Sequence, residues 1–168
     1  MREQPVAVEE ATEDDIAAIA QFLWNAWAEA GPEAPGWVGA DESVLAQIAA
    51  PDALRARLGG PRRRMFLARL GDRVVGFSAT RMVDDLTIEL AGIVVLQSMV
   101  GRGVGTPLLE AAAASGKAHS FGRMIARTEA SNERALEFYE GRGFARARSF
   151  TQEVEGASVE LVELERAL

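Results

Sequence analysis

Three alternating glycines between an apolar run and a helical segment constrain this chain more than any other feature of its sequence. The apolar run Ile93–Leu96 is typical of a strand, and Gly101, Gly103 and Gly105 follow it in a short turn. Glycine adopts positive φ angles easily and lets the backbone approach a ligand closely. Successive N–H groups at the start of a helix can surround a phosphate, aided by the helix dipole. The segment therefore predicts a strand, a turn and a helix that together suit an anionic ligand.

The turn differs from two common phosphate-binding loops. It lacks the lysine followed by serine or threonine that a P-loop requires. Leu108 stands where the dinucleotide fingerprint Gly-x-Gly-x-x-Gly would place its third glycine after Gly103 and Gly105. A helix start that only needs small residues explains the glycines equally well, so the turn alone leaves both interpretations open.

Length and composition are typical of a single globular domain. The 168 residues suit one domain spanning 1–168, and the 48 % hydrophobic and 26 % charged residues are unlike a disordered or fibrous chain. The absence of cysteine excludes disulfides, thiolate metal sites and cysteine nucleophiles. His119 is the single histidine, which excludes a multi-histidine metal site.

The net charge argues against nucleic acid as a partner, because it is −7. Within Gly101–Arg148, however, eight basic and five acidic residues leave an excess of positive charge that favours a polyanionic small ligand. No apolar run approaches the roughly 18 residues of a membrane span. Met1–Pro5 lack the apolar stretch of a signal peptide. A cytoplasmic protein with no membrane partner is therefore expected.

The hydrophobic periodicity predicts the element order β-α-α-β-β-β-α-β-α-β-β. The predicted strands are Val6–Glu10, Met65–Leu70, Arg73–Val83, Leu86–Leu96, Arg123–Glu129, Arg146–Glu153 and Ser158–Glu165. The predicted helices run from a Thr12 cap to Ala30, over Asp41–Leu58 with an interruption near Pro51, over Gly103–His119 and over Ser131–Glu140. Hairpins come first and β-α-β units follow, so the fold class is α/β of the α+β type. We expect a mixed, mostly antiparallel sheet of about seven strands with helices on both faces.

The glycine turn resembles the acyl-CoA-binding motif of the GNAT-type N-acetyltransferase superfamily, whose core reads Gln/Arg-x-x-Gly-x-Gly/Ala. The stretch Val100–Gly105 carries both required glycines. Val100 departs from the leading Gln/Arg, which removes one side-chain contact near the phosphates and leaves the backbone N–H groups in place.

A second match lies downstream, in Ser131–Phe144. It resembles the family segment Asn-x-x-Ala-x-x-x-Tyr-x-x-x-Gly-Phe. The five matching positions are Asn132, Ala135, Tyr139, Gly143 and Phe144. Together with the element order, the resemblance covers nearly the whole chain and implies a GNAT-like fold.

The resemblance implies acetyl transfer from acetyl-CoA to a primary amine by direct attack in a ternary complex, with no metal. The turn would bind the pyrophosphate and the preceding strand would bind the pantetheine arm, with the Ile93 N–H directed at the thioester oxygen. Asn132 would contact the cofactor or cap its helix. The implied cofactor-binding residues are Ile93, Val94, Val95, Val100, Gly101, Arg102, Gly103, Val104, Gly105, Thr106, Asn132 and Tyr139.

Two residues are candidates for proton transfer. The resemblance implies that Tyr139, the only tyrosine, protonates the departing thiolate, although a core aromatic is the alternative. It also implies that Glu89, within an otherwise apolar strand, deprotonates the amine. A solvent-facing Glu89 is an equally good interpretation. Asp84 and Asp85 are interpreted as turn residues.

The acceptor side is less constrained. Tryptophans at 24, 27 and 37, with nearby carboxylates at 29, 33, 41 and 42, suit an amine cation. Trp37 is the better pocket candidate, and Trp27 suits a helix core. Arg62–Arg64 are interpreted as a solvated edge, and His119 as a surface residue.

A small-molecule or peptide amine acceptor and a homodimer through the C-terminal strands are expected. Two rival functions are a non-catalytic acyl-CoA-binding or regulatory module of the same fold and a nucleotide-binding protein that uses the glycine turn.

Overall fold

A computed structural model describes residues 5–31, 42–58, 62–154 and 156–168. The strands are β1 (Ala7–Glu10), β2 (Arg63–Leu70), β3 (Arg73–Asp84), β4 (Thr87–Val95), β5 (Arg123–Glu129), β6 (Ala145–Val154) and β7 (Ala157–Ala167). The helices are α1 (Ile16–Ala30), α2 (Glu42–Ile48), α3 (Pro51–Arg55), α4 (Gly105–Ala118) and α5 (Glu133–Glu140). Short 3₁₀ turns precede α1, at Glu13–Asp15, and follow β4, at Gln97–Met99. The predicted element order is confirmed, and the second helical region divides into α2 and α3 at Pro51.

The seven described strands form one sheet in the order β1-β2-β3-β4-β5-β7-β6. Every neighbouring pair is antiparallel except β4 and β5, which α4 connects in parallel. A parallel pair needs a crossover of this kind, because its two strands run in the same direction. The mixed, mostly antiparallel sheet predicted from the sequence is therefore confirmed.

Side chains alternate between the two faces of the sheet, and each face is covered by different helices. On one face, which we call the α4 side, Ser78 donates a hydrogen bond to the Leu108 carbonyl at 3.4 Å, and Ile88 packs beside Gly116. On the opposite face, the α1 side, α1 packs against β3 and α3. The expectation of helices on both faces is confirmed.

Helix α1 begins and ends as its sequence predicts. Thr12 forms a capping box with Asp15 before the helix, and Gly31, with φ of 78°, ends it. The side chains that face the core are Ile16, Ile19, Phe22, Leu23 and Ala26. This helix has 15 residues, and no described helix is both long and apolar enough to cross a bilayer.

Gly76 of β3 is a point of close approach between the sheet and the start of α4. A Cβ atom there would lie 2.8 Å from Leu108 Cδ1 and 2.8 Å from Val104 Cγ1, both in fully buried side chains. Glycine at this position therefore allows the start of α4 to pack directly against β3.

We predict that Gly76→Ala lowers the free energy of unfolding by about 1–3 kcal/mol, because the added methyl overpacks a filled interface. Chemical denaturation measures the loss. Gly92→Ala in β4 is the matched control, since a Cβ there meets no atom within 4 Å. Equal stability of the two variants would contradict the packing argument.

Candidate active site

Strands β4 and β5 pair over only part of their length. The parallel ladder runs from Thr87 opposite Arg123 to Leu90 opposite Ala126 and then stops. Pairing of β4 with β3 continues to Val95, with Ala91 as an extra residue between the Leu90 and Gly92 pairs. Such a bulge bends a strand. Beyond Leu90, β4 therefore keeps its β3 partner and leaves β5, and a gap opens in the sheet.

The gap presents unpaired backbone groups along β4. Ile93, Val94 and Val95 pair with Ser78, Phe77 and Gly76 on the β3 side. Alternate residues of a strand turn their N–H and C=O groups to opposite edges, so part of this stretch offers hydrogen bonds into the gap. The sequence placed these three residues beside the cofactor for their backbone groups, and the structure places them along the gap.

The glycine turn lies at the end of the gap, between β4 and α4. Gly101 and Gly103 have φ angles of 80° and 76°, which a side chain rarely tolerates. Among the described residues, the N–H groups of Gly101, Gly103 and positions 104–106 donate to no backbone carbonyl. The first N–H groups of a helix have no partner within it, and the helix dipole makes this end positive. The turn is therefore built to receive an anion.

The second motif packs against the start of α4. The Phe138 ring covers Gly105, where an added Cβ would lie 3.0 Å from Cε2. Arg142 donates from Nε to Thr106 Oγ1 at 2.8 Å, and its guanidinium lies over the Phe138 ring at 3.9 Å. The glycine turn and the second motif are therefore in contact in the structure, although they are far apart along the chain.

Sequence reasoning missed Arg142, since it stands at an unspecified position of the second motif. Its guanidinium lies beside the start of α4, bonded to Thr106 and stacked on Phe138. Arg102 of the turn is exposed, and no ion pair of the described residues involves it. Arg142 is therefore the cation that the structure holds at this end of α4.

Tyr139 has a buried ring and a hydroxyl group without a partner among the described residues. The ring contacts Phe138 and Phe144 edge-on, with centroids 5.4 and 5.3 Å away. Every fully buried polar side-chain atom described has a partner, so the unpaired Tyr139 oxygen retains access to the surface. Burial raises the pKa of Tyr139 to about 12. The phenol stays protonated at neutral pH, and the raised pKa makes it a weaker acid than a free phenol.

Asn132 is the N-cap of α5. Its Oδ1 accepts a hydrogen bond from the Ala135 N–H at 3.1 Å. The capping interpretation is therefore confirmed. The side-chain NH₂ group has no described partner and stays available to a ligand.

Glu89 is buried, with 5 % of its surface exposed, so the solvent-facing alternative is wrong. It lies on the α1 side of β4, opposite Arg81 of β3 and Ile125 of β5. Arg81 Nε lies 2.5 Å from Oε2, and Arg127 Nη1 lies 3.5 Å from Oε1. Both carboxylate oxygens are thus engaged by guanidinium groups.

A chain of ion pairs extends from Glu89 across the α1 side. Arg127 also donates to Glu163 at 3.0 Å, and Glu163 accepts from Arg148 at 3.1 Å. The hydrogen bond from Arg148 is the main reason that the pKa of Glu163 is lowered. Sequence reasoning missed these arginines because cross-strand neighbours are set by sheet register.

The other candidates on the acceptor side are the tryptophans and the carboxylates near them. Trp24 and Trp27 meet edge-on at 6.2 Å and pack against the core. Glu29 accepts from the N–H and hydroxyl groups of Ser98 at 3.2 Å, near the glycine turn. Glu42 opens α2. Trp37, Glu33 and Asp41 lie outside the described residues.

The remaining charged candidates are His119, Asp84 and the three arginines at the start of β2. His119 follows α4 and contacts Arg64 at 2.7 Å, and its exposure agrees with the surface interpretation. Asp84 accepts from the Leu86 N–H in the β3–β4 turn, as interpreted. Arg62 and Arg63 are exposed and point to a cavity on the α1 side, whereas Arg64 pairs with Glu10.

The model of the acetyltransferase (GNAT) family matches residues 16–144, which is more than half of the chain. The chain belongs to the GNAT acetyltransferase family, and its chemistry is acyl transfer. No curated protein sequence matches it.

Solved structures share the fold at low sequence identity. The ribosomal-protein-S18-alanine N-acetyltransferase from Escherichia coli is 18 % identical, with a TM-score of 0.71 over 97 % of this chain and 94 % of that chain. A GNAT-family acetyltransferase from Streptococcus pneumoniae is 18 % identical, with a TM-score of 0.75 over 98 % and 100 %. The PaiA N-acetyltransferase from Thermoplasma acidophilum, solved with coenzyme A, is 14 % identical, with a TM-score of 0.72 over 98 % and 99 %.

We predict that Gly103→Ala weakens coenzyme A binding about tenfold, because a negative φ at this position turns a neighbouring N–H away from the phosphate. A Cβ there meets no atom within 4 Å, so the change strains the backbone without a clash. Titration calorimetry measures the affinity. Gly31→Ala is the control, since Gly31 also has positive φ and open surroundings. Both variants should lose roughly 1–3 kcal/mol of stability, and only Gly103→Ala should lose affinity.

Proposed function

We propose that this chain is an acetyl-CoA-dependent N-acetyltransferase that acetylates a primary amine by direct attack in a ternary complex. The observation that carries the proposal is the gap between β4 and β5 with an anion-binding turn at its end. A coenzyme A molecule has a flexible amide arm and a diphosphate, which match these two parts. The PaiA structure, which was solved in complex with coenzyme A, supports coenzyme A as the ligand by similarity of fold.

The diphosphate is assigned to the N–H groups of Gly101–Thr106, with Val100 at its edge. Arg142 supplies the guanidinium group that Val100 does not. The pantetheine amides are assigned to Ile93, Val94 and Val95, as an added strand would bind. The Ile93 N–H then stabilises the oxyanion that forms from the thioester carbonyl. The free amide NH₂ of Asn132 is assigned to the same arm.

Chemistry begins when the amine nitrogen attacks the thioester carbon and forms the C–N bond. The C–S bond then breaks, and its electron pair stays on the coenzyme A sulfur. Tyr139 donates its hydroxyl proton to that thiolate. The proton lost by the amine goes to Glu89, which must release one guanidinium group to accept it. No covalent enzyme intermediate is formed.

We predict that Tyr139→Phe lowers kcat about 10²-fold and leaves coenzyme A affinity unchanged, since only the proton donor is removed. Release of free coenzyme A thiol measures the rate, and titration calorimetry measures the affinity. A kcat equal to that of the parent protein would remove Tyr139 from the mechanism.

Tyr139 also makes the stability of the parent protein depend on pH in the alkaline range. The pKa of Tyr139 is raised from 10.0 to about 12 in the folded state. The unfolded chain therefore ionises first, and stability falls as pH rises from about 10 to about 12. The loss is roughly 2–3 kcal/mol in the parent protein and absent in Tyr139→Phe, as denaturation across this pH range measures.

We predict that Glu89→Gln lowers kcat at least about 10²-fold, because the amide cannot take the amine proton. Glu163→Gln is the matched control, since Glu163 is a half-buried carboxylate that also pairs with Arg127. It should keep its rate within about threefold of the parent. If both variants lose the same rate, Glu89 acts through the charge balance of the arginines and is not the base.

A non-catalytic acyl-CoA-binding or regulatory module is the second candidate function. The observation that favours it is the engagement of both Glu89 oxygens by Arg81 and Arg127. Such a module would be stabilised by acetyl-CoA in a thermal-shift assay and would release no thiol with any amine. Stabilisation by ATP or NAD in place of acetyl-CoA would instead favour the nucleotide-binding rival. Cytoplasmic location and the homodimer stay predictions.

A further inference from the structure

An open cavity of 450 Å³ lies on the α1 side of the sheet, where β2 begins and β3 ends. We call it the arginine cavity. Its lining residues are Arg62, Arg63, Arg81, Met82, Val83 and Arg127. Four of these six are arginines, and no carboxylate is among the described residues that line the cavity. Its volume suits a small molecule.

Guanidinium groups outnumber carboxylates around the arginine cavity. Arg81 and Arg127 share Glu89, and Arg127 shares Glu163 with Arg148. Within the described part of the chain, neither Arg62 nor Arg63 has an ion-pair partner. Positive charge therefore remains uncompensated on the two exposed arginines of the lining.

The positive potential extends to the end of α3. Arg57, just beyond that helix, is half-buried, and its pKa is lowered by burial and by the positive charge of Arg63. The whole chain carries a net charge of −7, so this local excess opposes the overall balance. A concave surface lined with one sign of charge concentrates ligands of the opposite sign.

Arg127 joins the arginine cavity to the gap in the sheet. It follows Ala126, the last β5 residue that pairs with β4, so it stands where the two strands separate. Its side chain reaches Glu89, the residue assigned as the base. A molecule in the cavity thus lies against Arg81 and Arg127, the two arginines that pair with Glu89, and against the exposed Arg62 and Arg63.

We propose that the arginine cavity binds an anionic group of the acyl acceptor, so that the acceptor is a small amine that also carries a carboxylate or a phosphate. This inference rests on the N-acetyltransferase function proposed above and adds the chemical class of its acceptor. Guanidinium groups bind both anions through paired N–H donors. A polyamine or an aminoglycoside would place cations against four arginines, which the site disfavours.

The first test compares amines that differ only in the anionic group. Thiol release from acetyl-CoA is measured with glycine and glycinamide, with O-phosphoethanolamine and ethanolamine, and with spermidine. The acidic member of at least one pair should have a kcat/KM at least about tenfold higher than its partner without the anionic group. Added salt should reduce this preference, because screening weakens the attraction. The two pairs distinguish a carboxylate site from a phosphate site.

The second test removes the unpaired charges. The double variant Arg62→Gln, Arg63→Gln should raise KM for the preferred acidic amine about tenfold and leave KM for acetyl-CoA unchanged. Both side chains are exposed and have no ion-pair partner among the described residues, so the fold should tolerate the change. Arg146→Gln is the matched control, because Arg146 pairs with Glu140 of α5, outside the cavity. This control should leave both KM values unchanged.

The outcomes separate the two proposals. A preference for spermidine, ethanolamine or glycinamide, with thiol release intact, overturns the acidic acceptor and leaves the transferase standing. An unchanged KM for the acidic amine in the double variant does the same. Absence of thiol release with every amine, despite coenzyme A binding, overturns the transferase and the acceptor class together.

Discussion

The separation of β4 from β5 after Leu90 is the constraint on which the rest of the site depends. The bulge at Ala91 keeps β4 paired with β3 while it bends away from β5. Backbone groups that a continuous sheet would satisfy internally are then free to bind a ligand. The α4 crossover places the start of a helix at the open end of the same gap. One interruption in one parallel ladder thus creates both the groove and its anion-binding end.

Charge is distributed unevenly between the two faces of the sheet. Beside the gap on the α4 side, Arg142 and the helix start face the assigned diphosphate. On the α1 side, Glu89 and Glu163 are embedded among arginines that exceed them in number. Each of these two carboxylates pairs with two guanidinium groups. The arginine cavity therefore stays positive within a chain whose net charge is negative.

Much of the fold could be predicted because patterns over a few residues determine where its helices, strands and turns lie. The apolar spacing of α1, its Thr12 cap and its Gly31 stop appear in the structure where the sequence places them. The glycine turn is likewise a local feature, since positive φ depends on the residue itself. Glu89 shows the limit of this reasoning. The alternation of side chains along a strand did not show whether Glu89 faces solvent or the protein interior. The register of the sheet decided that it is buried.

The sequence by itself determined the element order, the glycine turn and the two family motifs, because propensity, periodicity and backbone freedom act over a few residues. Only the tertiary structure decided that Phe138 covers Gly105, that Arg142 reaches Thr106, and that arginines from β2, β3 and β5 line one cavity. These contacts join residues that are far apart in the chain. Their proximity follows from strand order and register, which a single sequence does not encode in any short pattern.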